Sequence, residues 1–590
     1  MRKNVLALSI AAMIGGFAGV AQASVITPAA AGVVAKGDVF GTYAGTEAPA
    51  TVLEVNPGNV GHMLVVPYFT AQNGNMTVLH LSNTDQNSGK AVKIRFRGAA
   101  NSDDIMDFQI YLSPGDIWTG AVAQGAGGTA TLYSADKTCT VPAIPAAGAS
   151  FSTARLNAAD NVNGTREGYV EIFNMADIPS NKNFDKDGKI ADAGANSVVY
   201  TLTKHVNGVA PCSVEGSAAR TALNDIALTN FTVKDAAVGA NANAVGFGAS
   251  TTGLAADWYI LNLAQSTAFS GSATAIEARV AAGGAAGAAN FVHFPQTSAG
   301  SATFFAGAGT AADSFTADPL LRQFYTLQDK TTVTTGPVVT PLFVDLPDMS
   351  TPYVTAIDAV GNAPKVQAIN LTAALSRTSV SNQFALDAGI KAATDWVFSM
   401  PTRRYSVAAN YKAAKTSDKD YRLYSDLSVI NNAYTTTAAS APGAADEWFY
   451  PANTRVDARG NICVDATSMR FYDREETTSG AAPIFSPAVA SQLSFCGETS
   501  VLSFSASKVL GSSSDLTATT MTTPYTNGWT VVTTTNAFAT AAADNTNALA
   551  ATAKGGLPIL GDAFIKVNND SAGNGFASTF GITWTHRFNR

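Results

Sequence analysis

The best candidate for an ion site is a run of oxygen-bearing side chains at alternate positions. The ligands would be Asn183, Asp185, Asp187 and Asp192. Oxygen ligands at alternate positions, followed by glycine, match the first half of an EF-hand calcium loop. The match ends at the twelfth position, where Gly194 stands in place of the closing glutamate. The sequence therefore predicts either a calcium ion at these ligands or a solvated Asp/Asn/Gly turn.

The cysteines indicate disulfide bonds. The chain has four, Cys139, Cys212, Cys463 and Cys496. In an exported chain an even number of cysteines predicts disulfides, and four allow three pairings. We prefer the nearest-neighbour pairing, Cys139–Cys212 and Cys463–Cys496, because domains usually keep their bridges internal. Zinc is the alternative, but the sequence has no C-x-x-C pair.

We recognise no catalytic set in the sequence and expect that the protein is not an enzyme. The five histidines are isolated from one another in the sequence: His62, His80, His205, His293 and His586. A lone histidine among apolar or turn residues is more often packed or exposed than a ligand. The zinc-protease motif H-E-x-x-H, the nucleophile elbow G-x-S-x-G and the Walker phosphate loop are all missing.

The charged pairs do not favour a reaction or a nucleic-acid partner either. Glycoside hydrolysis needs two facing carboxylates, and adjacent residues on a strand point to opposite faces. We therefore interpret Asp103-Asp104 and Glu475-Glu476 as solvated loop charge. Arg403-Arg404 is too short for a basic patch, and the net charge of −7 argues against nucleic acid.

The first residues predict export. Met1-Arg2-Lys3 precedes an apolar run over residues 5–20 and the motif Ala21-Gln22-Ala23. A basic start, an apolar run and an A-x-A cleavage site are typical of a secretory signal peptide. No later run approaches the roughly 18 apolar residues of a membrane-spanning helix. We expect cleavage after Ala23 and an exported mature chain.

The stretch Gly61–Trp118 shows β structure most clearly. Asn73-Gly74 lies between the apolar runs Met63–Phe69 and Met76–Leu81, and this pattern predicts a β-hairpin. The segment Lys93–Arg97 alternates charged and apolar side chains. Alternation of this kind predicts a strand with one solvated face and one buried face.

We predict a mainly β fold of several domains, of the antiparallel β-sandwich type, with a few short helices and long Ala/Gly/Thr-rich loops. The predicted division is a signal peptide at 1–23, an N-terminal arm or strand at 24–60, a first β domain at 61–250, a second α+β region at 251–405 and a C-terminal β domain at 406–590. Individual elements include helices at Asp318–Leu327, Thr274–Ala281 and Ile369–Ala385, a strand at Asn224–Val233, and a closing strand at Gly581–Arg590.

Three segments resemble a known family. They are GHMLVVPYFTAQNGNMTVLHLSN, VKIRFRGAANSDDIMDFQIYLSPGDIWTG and TDWVFSMPTRR. They are similar to exported betaproteobacterial proteins described as cell-surface or surface-layer proteins, a family that includes proteins sheathing outer-membrane-vesicle nanopods. The resemblance implies a structural role on the outer-membrane surface, self-assembly and no catalysis. It supplies no catalytic residues.

The expected function is therefore a self-assembling surface-layer or sheath subunit on the extracellular face of the outer membrane of a Gram-negative bacterium. Its expected partners are copies of itself and the outer-membrane surface, including lipopolysaccharide. The alternative is a surface adhesin or ligand-binding protein. An outer-membrane β-barrel is a third hypothesis, but it needs more ten-residue alternating strands than the sequence shows.

The sequence also predicts a place for subunit contact. Pro67 lies inside the first apolar run, and proline within a strand is tolerated only at an edge or a bulge. An exposed edge is where a neighbouring subunit could add a strand. The predicted contact residues are Met63, Val65, Pro67 and Phe69.

The calcium hypothesis has a direct test. Replacing Asp185 and Asp187 together by alanine should lower the thermal unfolding temperature in calcium, because ligands that bind only the folded state stabilise it. The same variant should match the wild type in chelator. Unfolding followed by circular dichroism in both buffers measures the difference, and equal stability of variant and wild type in calcium would contradict the site.

Overall fold

The fold is mainly β and built from antiparallel sheets with a few short helices, as the sequence predicted. A computed structural model of the protein describes residues 24–28, 39–40, 48–153, 156–157, 161–180, 183–184, 190–191, 198–229, 231–232, 240–293, 296, 363–409, 411, 414–416, 421–424, 448–449, 453–475, 493–504, 508–514, 526–534, 556–569 and 578–589. The predicted helix at Asp318–Leu327 lies outside these residues.

The strands before residue 300 are, in chain order, β1 (Ser24–Pro28), β2 (Val39–Phe40), β3 (Val52–Asn56), β4 (Met63–Thr70), β5 (Met76–Asn83), β6 (Ser88–Gly98), β7 (Asp104–Leu112), β8 (Ile117–Gln124), β9 (Ala130–Tyr133), β10 (Cys139–Val141), β11 (Ala149–Ser150), β12 (Glu167–Pro179), β13 (Asn183–Phe184), β14 (Ile190–Ala191), β15 (Phe231–Thr232), β16 (Ala240–Asn241), β17 (Leu254–Asn262), β18 (Thr267–Ser272), β19 (Thr274–Arg279) and β20 (Phe291–His293). Most of them form two large sheets. The central sheet has the order β10-β7-β6-β12-β4-β19-β3, and the side sheet has the order β11-β9-β8-β5-β17-β18.

The central and side sheets pack face to face as a sandwich. Leu64 and Ile172 of the central sheet belong to one buried cluster with Leu79, Trp118 and Trp258 of the side sheet. Side chains two residues apart on a strand share a face, so alternate residues of β4 and β12 supply this core. Burial of such large apolar groups is the main stabilising term for the sandwich.

The predicted hairpin at Asn73-Gly74 is wrong, although the turn itself is present. Gln72–Gly74 forms a 3₁₀ turn in which Asn73 and Gly74 have φ of 52° and 75°. The strands on either side do not pair, because β4 belongs to the central sheet and β5 to the side sheet. Both strands need to bury an apolar face, and crossing between the sheets lets those faces pack against each other.

The charged face predicted to be solvated on β6 is also buried. Lys93 and Arg95 have no exposed surface, and Arg97 is 1% exposed. The sequence pattern identified two different faces correctly. It gave no information on the second layer that covers the charged one, which is formed partly by the C-terminal half of the chain.

The helices are short: α1 (Asn161–Gly164), α2 (Val198–Thr203), α3 (Ala218–Ala227), α4 (Ala242–Val245) and α5 (Ala363–Leu375). Three predicted elements are corrected. The predicted strand at Asn224–Val233 begins as the end of α3, which Ser217 caps through its side chain and which ends at Ala227. Its described strand part is β15. Thr274–Ala281 is mostly strand β19, because it completes the central sheet beside β3 and β4. The predicted helix at Ile369–Ala385 is helical to Leu375 and then becomes strand.

The C-terminal half is built from smaller sheets. Its strands are β21 (Ser376–Arg377), β22 (Ser379–Ala385), β23 (Ala393–Ser399), β24 (Val407–Ala409), β25 (Arg422–Tyr424), β26 (Thr454–Val456), β27 (Ile462–Asp465), β28 (Ser468–Asp473), β29 (Ser494–Cys496), β30 (Thr499–Ser503), β31 (Asn527–Thr533), β32 (Leu557–Pro558), β33 (Asp562–Asn569), β34 (Ser578–Thr585) and β35 (Arg587–Asn589). We call β30-β23-β33-β34 the inner sheet and β28-β31-β22-β35 the outer sheet.

The inner sheet shares its core with the N-terminal half. Trp396 and Phe398 on one face of β23 pack in a buried cluster with Tyr169 and Phe173 of β12. Val397 on the other face joins the cluster of the central and side sheets. Strand pairing also crosses two predicted domain limits, because β17 pairs with β5 across residue 250 and β23 pairs with β30 across residue 405. The limits themselves stay predictions.

The backbones of β12 and β6 approach each other closely at Gly168, and a substitution there tests this contact. A Cβ atom at this position would lie 1.7 Å from the carbonyl oxygen of Arg97, a backbone atom that cannot turn away. We expect Gly168→Ala to lower the free energy of unfolding by roughly 1–3 kcal/mol or more, because the strands must separate. Gly127→Ala is the matched control, since nothing lies within 4 Å of its added Cβ. Urea unfolding of both variants measures the cost, and equal midpoints would contradict the predicted close contact.

Candidate functional site

The predicted calcium loop is only partly described. The backbone of Asn183 lies in β13, which pairs with β14 so that Asn183 is opposite Ala191. Asp185, Asp187 and Asp192 lie outside the described residues. The calcium site therefore stays a prediction.

The disulfide pairing preferred from the sequence is confirmed. Cys139 of β10 is joined to Cys212, with a Cα–Cα distance of 5.7 Å, and Cys463 is joined to Cys496 at 4.0 Å. Cys463 and Cys496 face each other in register on β27 and β29. Asp457 lies close enough to complete a metal-ligand triplet with these two residues. Because both sulfur atoms are already in the disulfide, they offer no thiolate for a metal.

The exposed edge predicted at Met63–Phe69 is wrong. Strand β4 lies between β12 and β19 in the central sheet, and every residue of it is buried, including Val65. Pro67 lies instead at a bulge, the other place where a strand tolerates proline. The register between β4 and β12 shifts opposite Pro67, between Gly168 and Val170, as at a bulge. Met63, Val65, Pro67 and Phe69 therefore do not offer a free edge to a second subunit.

The histidines have structural partners in the fold. The buried ring of His62 contacts the Gly287 carbonyl at 3.0 Å and the Ala278 amide at 3.1 Å. Burial, helped by the charge of Lys90, lowers its pKa to about 3. Burial also lowers the pKa of His586 to about 4, against a hydrogen bond to Val397 that raises it. Both rings are therefore neutral at physiological pH and act in packing.

A buried layer of charge covers the other face of the central sheet. Asp107, Arg95 and Glu171 are register partners on the adjacent strands β7, β6 and β12. Lys93 Nζ lies 2.5 Å from Asp107 Oδ1, and Arg97 Nε lies 3.3 Å from Glu171 Oε2. Burying a charge is costly unless it is paired and hydrogen-bonded, so the register of the three strands matters for stability.

The C-terminal half completes this charge layer. Arg404 Nη2 lies 3.0 and 3.1 Å from the two oxygens of Glu171, and Arg403 Nε lies 3.3 Å from Glu498 Oε1. Both arginines are buried, so their guanidinium groups act within the fold. Asp103, expected in a solvated loop, is instead 1% exposed and accepts a hydrogen bond from Tyr411 at 2.6 Å.

Glu167 forms a second link between the two halves. Its carboxylate accepts hydrogen bonds from Tyr68 Oη at 3.0 Å, Ser512 Oγ at 2.7 Å and the Ser513 amide at 2.8 Å. Ser513 and Ser514 also donate through their hydroxyl groups. These donors replace the water that a buried carboxylate loses. Because Ser512, Ser513 and Ser514 all donate to Glu167, they hold segment 508–514 against β12.

The described surface also contains an open cavity beside the outer sheet. Its volume is about 480 Å³, and it is lined by Ser381, Asn382, Gln383, Gly528, Trp529, Trp584, Thr585 and Arg587. Tyr472 stacks on Trp529 with ring centroids 4.2 Å apart and planes 8° apart. The sequence predicted a closing strand at Gly581–Arg590 but a helix over residues 381–383, and no local pattern indicated that these segments meet. An exposed tryptophan in the polar strand NGWTVVT was the available signal.

Comparison with known proteins gives no relative for this chain: no family model, no curated protein and no solved structure matches it. In the part of the chain that the structure describes, no helix is long and apolar enough to cross a membrane.

The charge layer predicts a pH dependence through Glu498. Burial raises the pKa of its carboxyl from 4.5 to about 7, against Arg403 and Arg404, which lower it. A raised pKa means that the folded state holds the proton more tightly, so the stabilisation is full below pH 4.5 and is lost as the pH rises through 7. Relative to Glu498→Gln, the wild type should lose free energy of unfolding between these pH values.

Urea unfolding of the wild type and Glu498→Gln at a series of pH values measures this difference. Comparing the two proteins at each pH removes the contributions of Asp562, His62 and His586, which both share. Glu475→Gln, at an exposed position, is the control and should follow the wild type. Parallel pH profiles for the wild type and Glu498→Gln would contradict the raised pKa.

Proposed function

We propose that this protein is an exported structural protein of the cell surface and that it assembles with copies of itself. The observation that supports this most directly is the outward face of β34. Phe580, Ile582 and Trp584 alternate along this strand and are 58%, 38% and 47% exposed. Adjacent exposed apolar residues on one strand face are typical of a surface that another protein covers.

The position of β34 favours a second copy as that protein. Among the described strands β34 pairs only with β33, so it ends the inner sheet. Gly581 and Thr583, on its other face, lie toward β18, where the Ser270 amide donates to the Thr583 hydroxyl at 3.3 Å. The edge that no other described strand pairs with and the apolar face occur together on every copy. An antiparallel pair of such strands is self-complementary, which a two-fold interface requires.

The other parts of the proposal rest on chemistry and on the resemblance. The signal-like start and two disulfides agree with an oxidising compartment outside the cytoplasm. The acidic chain and the buried Arg403-Arg404 pair do not favour nucleic acid. We place the assembled protein on the outer face of the outer membrane, next to lipopolysaccharide, with calcium at residues 183–192 as its candidate ion.

The β34 surface can be tested by removing its apolar side chains. We expect the purified wild type to form species larger than a monomer as its concentration rises in calcium buffer. Replacing Phe580 and Ile582 together by serine should keep the protein monomeric, because the apolar area that would be buried is lost. Val206→Ser is the matched control, since Val206 is 61% exposed and its strand-like partner is Val209, in the N-terminal half.

Size-exclusion chromatography with light scattering measures the mass, and circular dichroism checks that each variant is folded. A wild type that stays monomeric at high concentration, or a double variant that assembles like the wild type, would contradict assembly through β34. Electron microscopy of cell envelopes with and without the protein tests the wider proposal, which expects an ordered layer or sheath only when the protein is present.

A further inference from the structure

The solvent-facing side of the outer sheet carries a second surface, which we call the outer face. Strand register places Tyr472, Trp529 and Gln383 in one row across β28, β31 and β22. The next row contains Arg470 and Arg587 on the two edge strands. Burial alternates along β22, β28 and β31, so these residues face solvent while their neighbours face the core.

We propose that the outer face binds an acidic polysaccharide, a chain of sugar rings that carry carboxylates. Trp529 contacts a sugar ring, and Arg470 and Arg587 pair with carboxylates of the chain. This inference does not depend on self-assembly. Trp584 of β34 lines the same cavity, but the residues proposed to bind the polysaccharide, Trp529, Arg470 and Arg587, lie on other strands than β34.

The aromatic pair provides a rigid apolar wall. Tyr472 covers one face of Trp529. Trp529 lines the cavity whereas Tyr472 does not, so the indole lies between Tyr472 and the open space. One face of a pyranose ring presents mainly C–H bonds, which pack well on the electron-rich face of an indole. Because the stack already fixes the indole, binding loses little side-chain entropy.

Polar side chains beside this wall are available for hydroxyl groups. Gln383 is exposed and lines the cavity with Ser381, and neither side chain has a hydrogen-bond partner among the described residues. Asn382 instead donates to the Trp584 carbonyl at 2.7 Å and to His586 at 3.0 Å, which holds the cavity wall in place. A fixed aromatic wall with a few free amide and hydroxyl groups is a typical arrangement for a polar, ring-containing ligand.

Charge selects an acidic ligand over a neutral one. Arg470 and Arg587 are exposed, and neither forms an ion pair within the described part of the chain. They lie on strands three positions apart, about 14 Å between backbones at the usual strand spacing. None of the outward residues of the outer sheet is acidic, although the whole chain has a net charge of −7. This local positive face can therefore bind carboxylates spaced along a polymer.

The test measures binding of alginate, a polyuronate, to the full-length exported protein by calorimetry. Dextran supplies neutral sugar rings, and poly-glutamate supplies carboxylates without sugar. We expect binding of alginate that weakens with salt, and no comparable binding of the other two polymers. Equal binding of poly-glutamate would overturn sugar recognition, equal binding of dextran would overturn the role of charge, and no alginate binding would overturn the whole proposal.

Variants assign the binding to the outer face. Trp529→Ala, and separately Arg470→Gln with Arg587→Gln, should each weaken alginate binding by about tenfold or more, as expected for central contacts. Tyr133→Ala and Arg455→Gln are matched controls at exposed positions of other sheets and should bind like the wild type. Trp529→Tyr should recover most of the binding lost in Trp529→Ala, which separates ring contact from misfolding. Wild-type binding by the outer-face variants would overturn the proposal.

The Phe580 and Ile582 double serine variant keeps the two proposals separate. It should bind alginate like the wild type while failing to assemble. If it assembles normally and alginate binding is intact, only the assembly proposal fails. If alginate binding is missing in the wild type while assembly occurs, only the polysaccharide proposal fails.

Discussion

The burial of the central sheet on both faces is the constraint that the rest of the fold must satisfy. Strands β4, β6, β7 and β12 have no exposed residue, yet one face of β6 carries Lys93, Arg95 and Arg97. Charges in such a place are tolerated only with partners. Some partners are local, such as Asp107, but Glu171 is also paired with Arg404 from the C-terminal half. The N-terminal sandwich therefore depends on the C-terminal half to complete its charge pairing.

Sequence patterns predicted the local properties of the chain and failed where a second layer decides the outcome. The β character, the turn at Asn73-Gly74 and the preferred disulfide pairing all follow from short-range chemistry. The hairpin was wrong because period-two alternation shows that a strand has an apolar face without showing which strand pairs with it. The solvated face of Lys93–Arg97 was wrong for a related reason: alternation cannot distinguish water from a buried partner such as Glu171.

The candidate binding surfaces were hidden from the sequence by distance along the chain. The outer face is assembled from four strands that lie between Ser379 and Asn589, with other sheets formed in between. No single strand has a composition that indicates a site. Only the register that places Tyr472 beside Trp529, and Arg470 in the row of Arg587, brings the aromatic and cationic groups together. Register of this kind depends on tertiary packing, which a local pattern does not specify.

Three segments that lie far apart in the sequence, residues 61–83, 92–120 and 394–404, meet in space. They contain β4 to β7 and β23 with its following arginines, and the Ser399 hydroxyl donates to the Pro67 carbonyl while Arg403 reaches the Ala100 carbonyl at 3.4 Å. These contacts belong to the buried joint between the two halves, where a substitution would leave a charge or a polar group unpaired. Such a joint constrains sequence more strongly than an exposed strand does. The exposed residues of the β34 surface and of the outer face take no part in this pairing, so substitutions there leave the buried joint intact.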